Sequence, residues 1–309
     1  MVRVLRFLGE HATICLVVSV FIGMFVPVLA GIFRPLLPIF IVLPLTLALM
    51  RIDWAELGAY LKRWPLILIL CFWMLVACPV LVWAVLLNSD VAPGVVSGIV
   101  LMAAAPPIVS AAAIALFVGL DGAIIVVSTV AAMWLVPLVL PPMALELLDL
   151  ELDLSLLEFS LRLGIVVTIA FSAAWIGRRV LGPERLARNS AILDGLAVIS
   201  LFMFVVGVFD GVWDMTVANP WHVVGATALS FAFNIGLQVA SAALFWRLGR
   251  RVALSIGLMS GNCNMGLVLI TLADRAEPDV IMYFAVAQIP MYVLPALLTP
   301  IYRRLGQTA

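Results

Sequence analysis

The sequence predicts an all-helical membrane protein, and three observations support this fold class. Of 309 residues, 65% are hydrophobic and only 11% are charged, whereas soluble domains are about 45–50% apolar and about 25% charged. The mean hydropathy is +1.25. The apolar residues form continuous runs near the roughly 20 residues that a helix needs to cross a bilayer, unlike the short alternating runs of a closed barrel. These features exclude a soluble globular fold.

Ten apolar segments near or above spanning length follow one another along the chain. Their limits are 12–30, 34–50, 65–87, 93–118, 122–145, 157–177, 190–209, 220–246, 252–273 and 279–302. Because the first segment has spanning length and many others follow it, we expect a first transmembrane helix there rather than a cleaved signal peptide. The sequence therefore predicts ten transmembrane helices.

The basic residues orient these ten spans. In this arrangement 14 of the 17 basic residues fall on the side of the N-terminus, and only Arg34, Arg162 and Arg275 fall on the other side. The positive-inside rule then predicts a multi-pass protein of an inner or plasma membrane with both termini cytoplasmic. Because 17 Lys and Arg balance 17 Asp and Glu, no basic field favours nucleic acid, and the expected partner is the lipid bilayer.

Residues 51–64, between the second and third segments, predict an amphipathic helix at the membrane surface. Trp54, Leu57, Leu61 and Trp64 recur at helical spacing, so they would share one apolar face. The pattern favours a helix lying on the cytoplasmic leaflet, with a docking surface for a partner as the alternative.

The remaining composition argues against an enzyme and against a bound cofactor. The four cysteines (Cys15, Cys71, Cys78 and Cys263) lie in apolar runs without metal-ligand spacing, so no metal site is indicated. No nucleophile and base occur at a credible spacing. No glycine-rich phosphate motif follows a strand, which disfavours ATP-driven transport by this chain.

An internal repeat divides the chain into halves of 1–150 and 151–309. The run 133–137, which ends in Pro137 and is followed by Pro142, matches the run 291–295, which ends in Pro295 and is followed by Pro300, at an offset of 158 residues. Each half would contain five spans, so the second half must enter the membrane in the opposite orientation. Inverted repeats of this kind are typical of secondary transporters.

Two interruptions occur at equivalent positions of the two halves. Ala105-Pro106-Pro107 in the fourth segment removes two backbone donors, and residues 260–266 of the ninth segment, Ser-Gly-Asn-Cys-Asn-Met-Gly, are small or polar. Irregular backbone at membrane depth is tolerated where it faces protein or lines a cavity, so two equivalent breaks predict a shared midplane site. The candidate substrate-binding residues are Pro106, Pro107, Ser110, Asn262, Cys263 and Asn264.

Each candidate also has a purely structural explanation. Asn262 and Asn264 could satisfy the broken backbone of the fourth segment, and the Ser110 hydroxyl could bond to its own helix. Asp194, one turn into the seventh segment, is either a proton relay or a charge at a helix N-terminus. The lone Cys263 thiol is weak evidence for a soft metal or arsenite, because such binding usually needs two or three sulfur ligands.

At these positions the chain resembles the bile acid:sodium symporter family of the bile, arsenite and riboflavin transporter superfamily. Ala105-Pro106, and after it Gly119 to Ala123, look like the family's Cys-Pro-Gly-Gly crossing region and the Gly-Asp that opens its fifth helix. Gly261 to Leu267 looks like its Gly-Met-Gln-Asn-Ser-Gly-Leu signature. The resemblance implies ten helices with broken, crossing fourth and ninth helices, a core and a panel domain, organic-anion substrates and sodium coupling.

The departures from the family concern the ion ligands. Where the family has Ser and Asn in the fourth helix, this chain has Ala111 and Ala112, and Met259 and Cys263 replace a Glu and a Gln in the ninth. A family Thr ligand corresponds to Thr129. Sulfur and methyl groups do not bind a hard cation such as Na⁺.

We therefore expect a secondary carrier of a small organic anion that works by alternating access. Sodium symport is the family default, and the lost oxygen ligands leave a proton-coupled or uncoupled carrier or exporter as the alternative. A membrane sensor is less favoured, because the chain has no soluble output domain. The candidate residues for ion coupling, with Na⁺ or H⁺ as the ion, are Thr129, Asp194 and Gln288.

Overall fold

The computed structural model describes residues 2–52, 58, 61–148, 155–272 and 275–307, and in these ranges the chain is helical without strands. The helices in chain order are α1 (Val2–Glu10), α2 (Ala12–Phe25), α3 (Pro27–Leu49), α4 (Trp64–Leu86), α5 (Pro93–Ala104), α6 (Ser110–Phe117), α7 (Gly122–Leu147), α8 (Leu156–Leu181), α9 (Pro183–Arg188), α10 (Ser190–Ala218), α11 (Pro220–Leu244), α12 (Arg250–Gly261), α13 (Met265–Leu272) and α14 (Pro278–Gly306). An all-helical polytopic membrane protein is the fold class that this arrangement supports.

Seven helices in the described ranges are long and apolar enough to cross a membrane. They are α3, α4, α7, α8, α10, α11 and α14. The number becomes eight if α1 and α2 form one span, although these helices are bent by 86° where they meet. The count is compatible with a polytopic membrane protein, whereas the ten-span arrangement, with its fourth and ninth helices broken, stays a prediction.

The first two predicted segments have wrong boundaries. We expected spans at 12–30 and 34–50, but α2 ends at Phe25 and α3 begins at Pro27. Val26 between them has φ −125° and ψ 70°, outside the helical region. Pro27 suits the start of the second helix because its missing N–H falls where a helix has no acceptor for it. The first helix therefore ends five residues earlier than hydropathy indicates.

The fourth and ninth segments are each built from two short helices. The chain leaves the helix after Ala104 and resumes at Ser110, and it leaves again after Gly261 and resumes at Met265. Ala105 is extended, with φ −72° and ψ 147°, as expected of a residue that precedes proline. The tandem prolines favour the first interruption, although Pro141 and Pro142 lie inside α7 without ending it.

The surface is apolar and the interior contains polar side chains. Large hydrophobic side chains such as Val28, Val85 and Trp221 are 74%, 73% and 82% exposed, respectively. Buried polar side chains include Ser128, Thr129, Asn234, Gln238, Ser241, Asn262 and Gln288. Soluble monomers rarely expose so much contiguous apolar surface, so the distribution supports an environment of lipid around the helices.

The interrupted helices lie at the centre of the molecule. All residues in 97–107 and in 253–269 are buried. Around them α3 and α10 pack along each other, and they come so close at Gly207 that a Cβ atom there would lie 3.0 Å from the backbone carbon of Phe33. α10 also packs against α1. The breaks are therefore enclosed by protein, as unpaired backbone at membrane depth requires.

Two predictions fall outside the described residues. The amphipathic helix expected at 51–64 depends mostly on residues 53–57, 59 and 60, and the repeat boundary at 150 lies within residues 149–154.

Candidate functional site

The two interruptions are paired with each other through their backbones. Pro107 and Cys263 form an isolated antiparallel bridge. The Ile108 N–H donates to the Asn262 carbonyl oxygen at 2.9 Å, and the Asn264 N–H donates to the Pro106 carbonyl oxygen at 2.7 Å. Residues 105–109 and 262–264, called the paired breaks below, therefore satisfy part of each other's backbone at the point where both helices stop.

Side chains satisfy further carbonyl groups at the end of α12. Asn262 Nδ2 donates to the Leu258 carbonyl at 2.7 Å, and the Cys263 thiol donates to the Ser260 carbonyl at 3.4 Å. Asn234 Nδ2, from α11, donates to the Gly261 carbonyl at 2.5 Å. These bonds take the place of the helical N–H groups that the break removes, so Asn262 and Cys263 have structural partners.

A hydrogen-bonded chain extends this support to two neighbouring helices. Gln238 Nε2 donates to Asn234 Oδ1 at 2.6 Å, and the Tyr302 hydroxyl of α14 donates to Gln238 Oε1 at 2.6 Å. Gly261 lies against this chain, since a Cβ atom there would lie 2.5 Å from Gln238 Cγ. The network fixes α12 between α11 and α14 at the level of the break.

One cavity of about 510 Å³ reaches the paired breaks, and we call it the central cavity. Its lining residues come from α3 and the segment after it, from the breaks, and from α6, α7, α10, α13 and α14. The polar residues along it are Arg51, Ser110, Asp194, Asn264, Gln288 and Tyr292. The other lining residues are mainly aliphatic, such as Leu45, Val126 and Leu201. The volume and the few polar groups suit a small amphipathic molecule.

The structure brings together four of the nine residues predicted for substrate binding and ion coupling. Ser110, Asp194, Asn264 and Gln288 line the central cavity. Pro106, Pro107, Asn262 and Cys263 are buried behind it in the paired breaks, and Thr129 is buried within α7. The two asparagines therefore differ: the Asn262 amide supports the broken helix, whereas Asn264 borders the open volume.

Asp194 is not isolated in the membrane interior. Its Oδ1 accepts from Arg51 Nη1 at 2.5 Å, and the carboxylate side chain is 49% exposed. Arg51 Nη2 also donates to the Ser190 carbonyl at 3.2 Å. The carboxylate that we considered as a proton relay is thus half of an ion pair at the cavity wall.

Several buried oxygens lack a hydrogen-bond partner among the described residues. They are Ser128 Oγ, Thr129 Oγ1, Asn262 Oδ1, Gln288 Oε1 and the Tyr292 hydroxyl. Buried polar groups are nearly always bonded to protein, water or a ligand. Gln288 and Tyr292 line the central cavity, but these two oxygens are themselves buried.

Two polar residues of the cavity, Arg51 and Tyr292, were not predicted as site residues from the sequence. Arg51 was counted only as a basic loop residue, and Tyr292 only as the aromatic residue of the repeat. The signal for Arg51 was its position directly after an apolar segment, where a long side chain can reach back toward the membrane interior. No sequence signal placed it opposite Asp194, which is 143 residues away along the chain.

Two comparisons with known proteins found no match for the chain. No protein-family model matches the chain. No curated protein matches it either.

Proposed function

We propose that this protein is a secondary carrier of a small organic anion that works by alternating access around the paired breaks. The observation that carries the proposal is that one cavity touches both interruptions, through Ile108, Ser110, Asn264 and Met265. Carriers bind substrate between helices that are broken near the middle of the membrane, where half-helix ends offer free polar groups. The residues expected to contact the substrate are Ser110 and Asn264.

The proposed architecture has ten spans in two inverted halves. The seven long helices, the bent α1 and α2, and the two interrupted helices supply that number. Three pairs of helices support the repeat. In each pair, the number of residues between the two helix starts differs from the 158-residue offset by at most two. These pairs are Trp64 with Pro220, Pro93 with Arg250, and Gly122 with Pro278. Both termini are then cytoplasmic in an inner or plasma membrane.

Two ion pairs between α3 and α10 have the symmetry that such a repeat requires. Arg51 pairs with Asp194 at one end of these helices, and Arg34 pairs with Asp210 at the other at 2.9 Å. Adding the 158-residue offset to the number of Arg34 gives a position two residues from Asp194. Adding it to the number of Arg51 gives a position one residue from Asp210. Exchange of the two halves therefore maps each ion pair onto the other with its charges reversed.

Charge favours an anion as the substrate. α6 begins at Ser110 and α13 begins at Met265, and both residues line the central cavity. Helix N-termini carry a partial positive charge that favours anions. The aliphatic lining favours a substrate whose remaining part is apolar.

For coupling, we propose sodium before protons. Thr129 Oγ1 and Ser128 Oγ on α7 and Asn262 Oδ1 at the break are buried oxygens with no partner in the described residues, and hard cations bind oxygen. α7 and α12 pack together, and the Asp121 N–H at the start of α7 donates to Ser255 Oγ in the middle of α12 at 2.9 Å. Thr129 lies eight residues after Asp121, and Asn262 lies seven residues after Ser255, so each is about 11 Å farther along its helix. Asp194, the candidate proton relay, is ion-paired with Arg51, and proton coupling stays the alternative.

Uptake into proteoliposomes tests the proposed function. The probes are taurocholate and naphthalene-2-sulfonate, whose permanent charge keeps them from crossing lipid unaided, with protein-free liposomes as the control. We expect uptake that depends on protein, that rises with an inward sodium gradient, and that falls in Asn264→Ala. Protein-dependent uptake of neither anion under sodium, proton or no gradient would contradict the proposal.

A further inference from the structure

The wall of the central cavity contains a single cation and a single carboxylate among the residues described there, Arg51 and Asp194. Arg51 follows the end of α3, and Asp194 lies near the start of α10. The guanidinium donates Nη1 to Asp194 and Nη2 to the Ser190 carbonyl. Since a guanidinium has five N–H donors, these two bonds leave donors for a further partner.

The ion pair is one that a ligand can replace. The side chains of Arg51 and Asp194 are 31% and 49% exposed, so both charges keep much of their contact with solvent. Exposed ion pairs contribute little to stability because water screens the attraction. An oxyanion in the cavity would offer Arg51 the same charge-assisted bonds, in the two-point geometry that guanidinium groups favour.

The pair at the other end of the same helices provides the comparison. Arg34 Nη1 lies 2.9 Å from Asp210 Oδ2, with side-chain exposures of 44% and 26%. Neither residue lines the central cavity. The two pairs therefore join α3 to α10 with the same chemistry, and only Arg51 and Asp194 also face the volume where a substrate would lie.

We propose that Arg51 binds the acidic group of the substrate and that Asp194 holds the guanidinium in position until the anion displaces it. This inference rests on the proposed function and adds a substrate class to it. The class is an amphipathic molecule with one carboxylate or sulfonate for Arg51 and an apolar body against side chains such as Leu45 and Leu201. The paired breaks then lie beside the remainder of the molecule, through Asn264.

Binding of two isosteric probes to purified protein tests the assignment. Naphthalene-2-sulfonate carries the charge, and 2-(methylsulfonyl)naphthalene has nearly the same shape without it. The apparent Kd of each is obtained from the concentration dependence of the melting temperature, since a ligand that binds the native state stabilises it. The variants are Arg51→Gln, Arg51→Lys and Asp194→Asn, with Arg34→Gln as the matched control.

We expect the wild type to bind the sulfonate more tightly than the sulfone. Arg51→Gln should bind the sulfonate about tenfold less tightly than the wild type does, while its affinity for the sulfone stays the same. Arg51→Lys should keep part of the preference, because it keeps the charge without the fork. Asp194→Asn should bind the sulfonate several-fold more tightly, because the competing carboxylate is gone. Arg34→Gln should match the wild type.

Other results would distinguish a failure of the role proposed for Arg51 from a failure of the carrier proposal. Unchanged sulfonate affinity in Arg51→Gln would overturn the role of Arg51 while leaving the carrier proposal in place. Equal losses in Arg51→Gln and Asp194→Asn would also overturn it, because they would mean that the ion pair only joins α3 to α10. A wild type with no preference for the sulfonate would contradict the anionic substrate class itself.

Discussion

Asn264 donates its backbone N–H to the carbonyl oxygen of Pro106 at 2.7 Å, so one interrupted helix completes the other. Pro106 and Pro107 cannot donate from their nitrogens, and α5 ends before them at Ala104. The carbonyl that this leaves free is met by a residue 158 positions later in the chain. Each break thus depends on the other, and the cavity lies beside the point where they join.

The two asparagines of the second break should respond differently to truncation. Asn262→Ala removes the donor to the Leu258 carbonyl and leaves a buried acceptor unpaired, which costs about 1–3 kcal/mol. Asn264→Ala should cost less stability than Asn262→Ala, because its side chain borders the central cavity. Unfolding in denaturant and anion uptake, measured on both variants, check the assignment. Equal destabilisation would contradict it.

Gly261 should tolerate no side chain. A Cβ atom there would lie 2.5 Å from Gln238 Cγ and 2.7 Å from the Asn234 carbonyl oxygen, so Gly261→Ala should destabilise the protein by about 1–3 kcal/mol through overpacking. Gly236, which has open space around it on α11, is the control, and Gly236→Ala should be neutral or slightly stabilising. Melting temperatures compare the two variants. A Gly261→Ala protein as stable as the control would show that α11 and α12 do not pack this closely.

The hydroxyl groups of Tyr302 and Tyr292 on α14 should contribute differently to the free energy of unfolding. Tyr302→Phe removes the donor to Gln238 Oε1 and should cost about 1 kcal/mol, as buried bonds between membrane helices do. Tyr292→Phe should be neutral or stabilising, because its hydroxyl is buried without a partner in the described part of the chain. The free energies of unfolding of the two variants test this, and the opposite order would contradict the network.

Sodium should raise the melting temperature relative to potassium at equal ionic strength. At a sodium concentration of ten times Kd the expected gain is about 1.4 kcal/mol. Thr129→Val keeps the shape of the side chain but removes the oxygen, and it should abolish the difference between the two salts. Equal melting temperatures for the wild type in both salts would instead favour a carrier that does not bind sodium by itself.

Local chemistry was enough to predict the interruptions but not their partners. Pro106 and Pro107 lack the backbone N–H groups that a continuous helix uses, and they predicted the first break, although Pro141 and Pro142 lie inside α7 without ending it. The polar run that contains Asn262 and Asn264 predicted the second. Which asparagine supports the backbone and which borders the cavity depends on contacts with α11 and on the pairing itself, and hydropathy does not contain that information.

The spans were predicted less well than the breaks. Hydropathy averages over a window, so it placed the end of the first segment at residue 30 and passed over the irregular Val26. It also cannot distinguish a continuous helix from two short ones of the same composition, as with α12 and α13. Arg51 was missed because its role depends on Asp194, and only the fold brings the two together.

The most direct test of alternating access is the reactivity of a cysteine at Ser110, which lines the central cavity. Ser110→Cys is made in a background with the four native cysteines replaced, and an impermeant thiol reagent is applied from each side of oriented vesicles. Thr129→Cys, at a fully buried position, is the control and should react from neither side. If access alternates, Ser110→Cys should react from both sides. Reaction from one side alone, with or without added taurocholate, would contradict it.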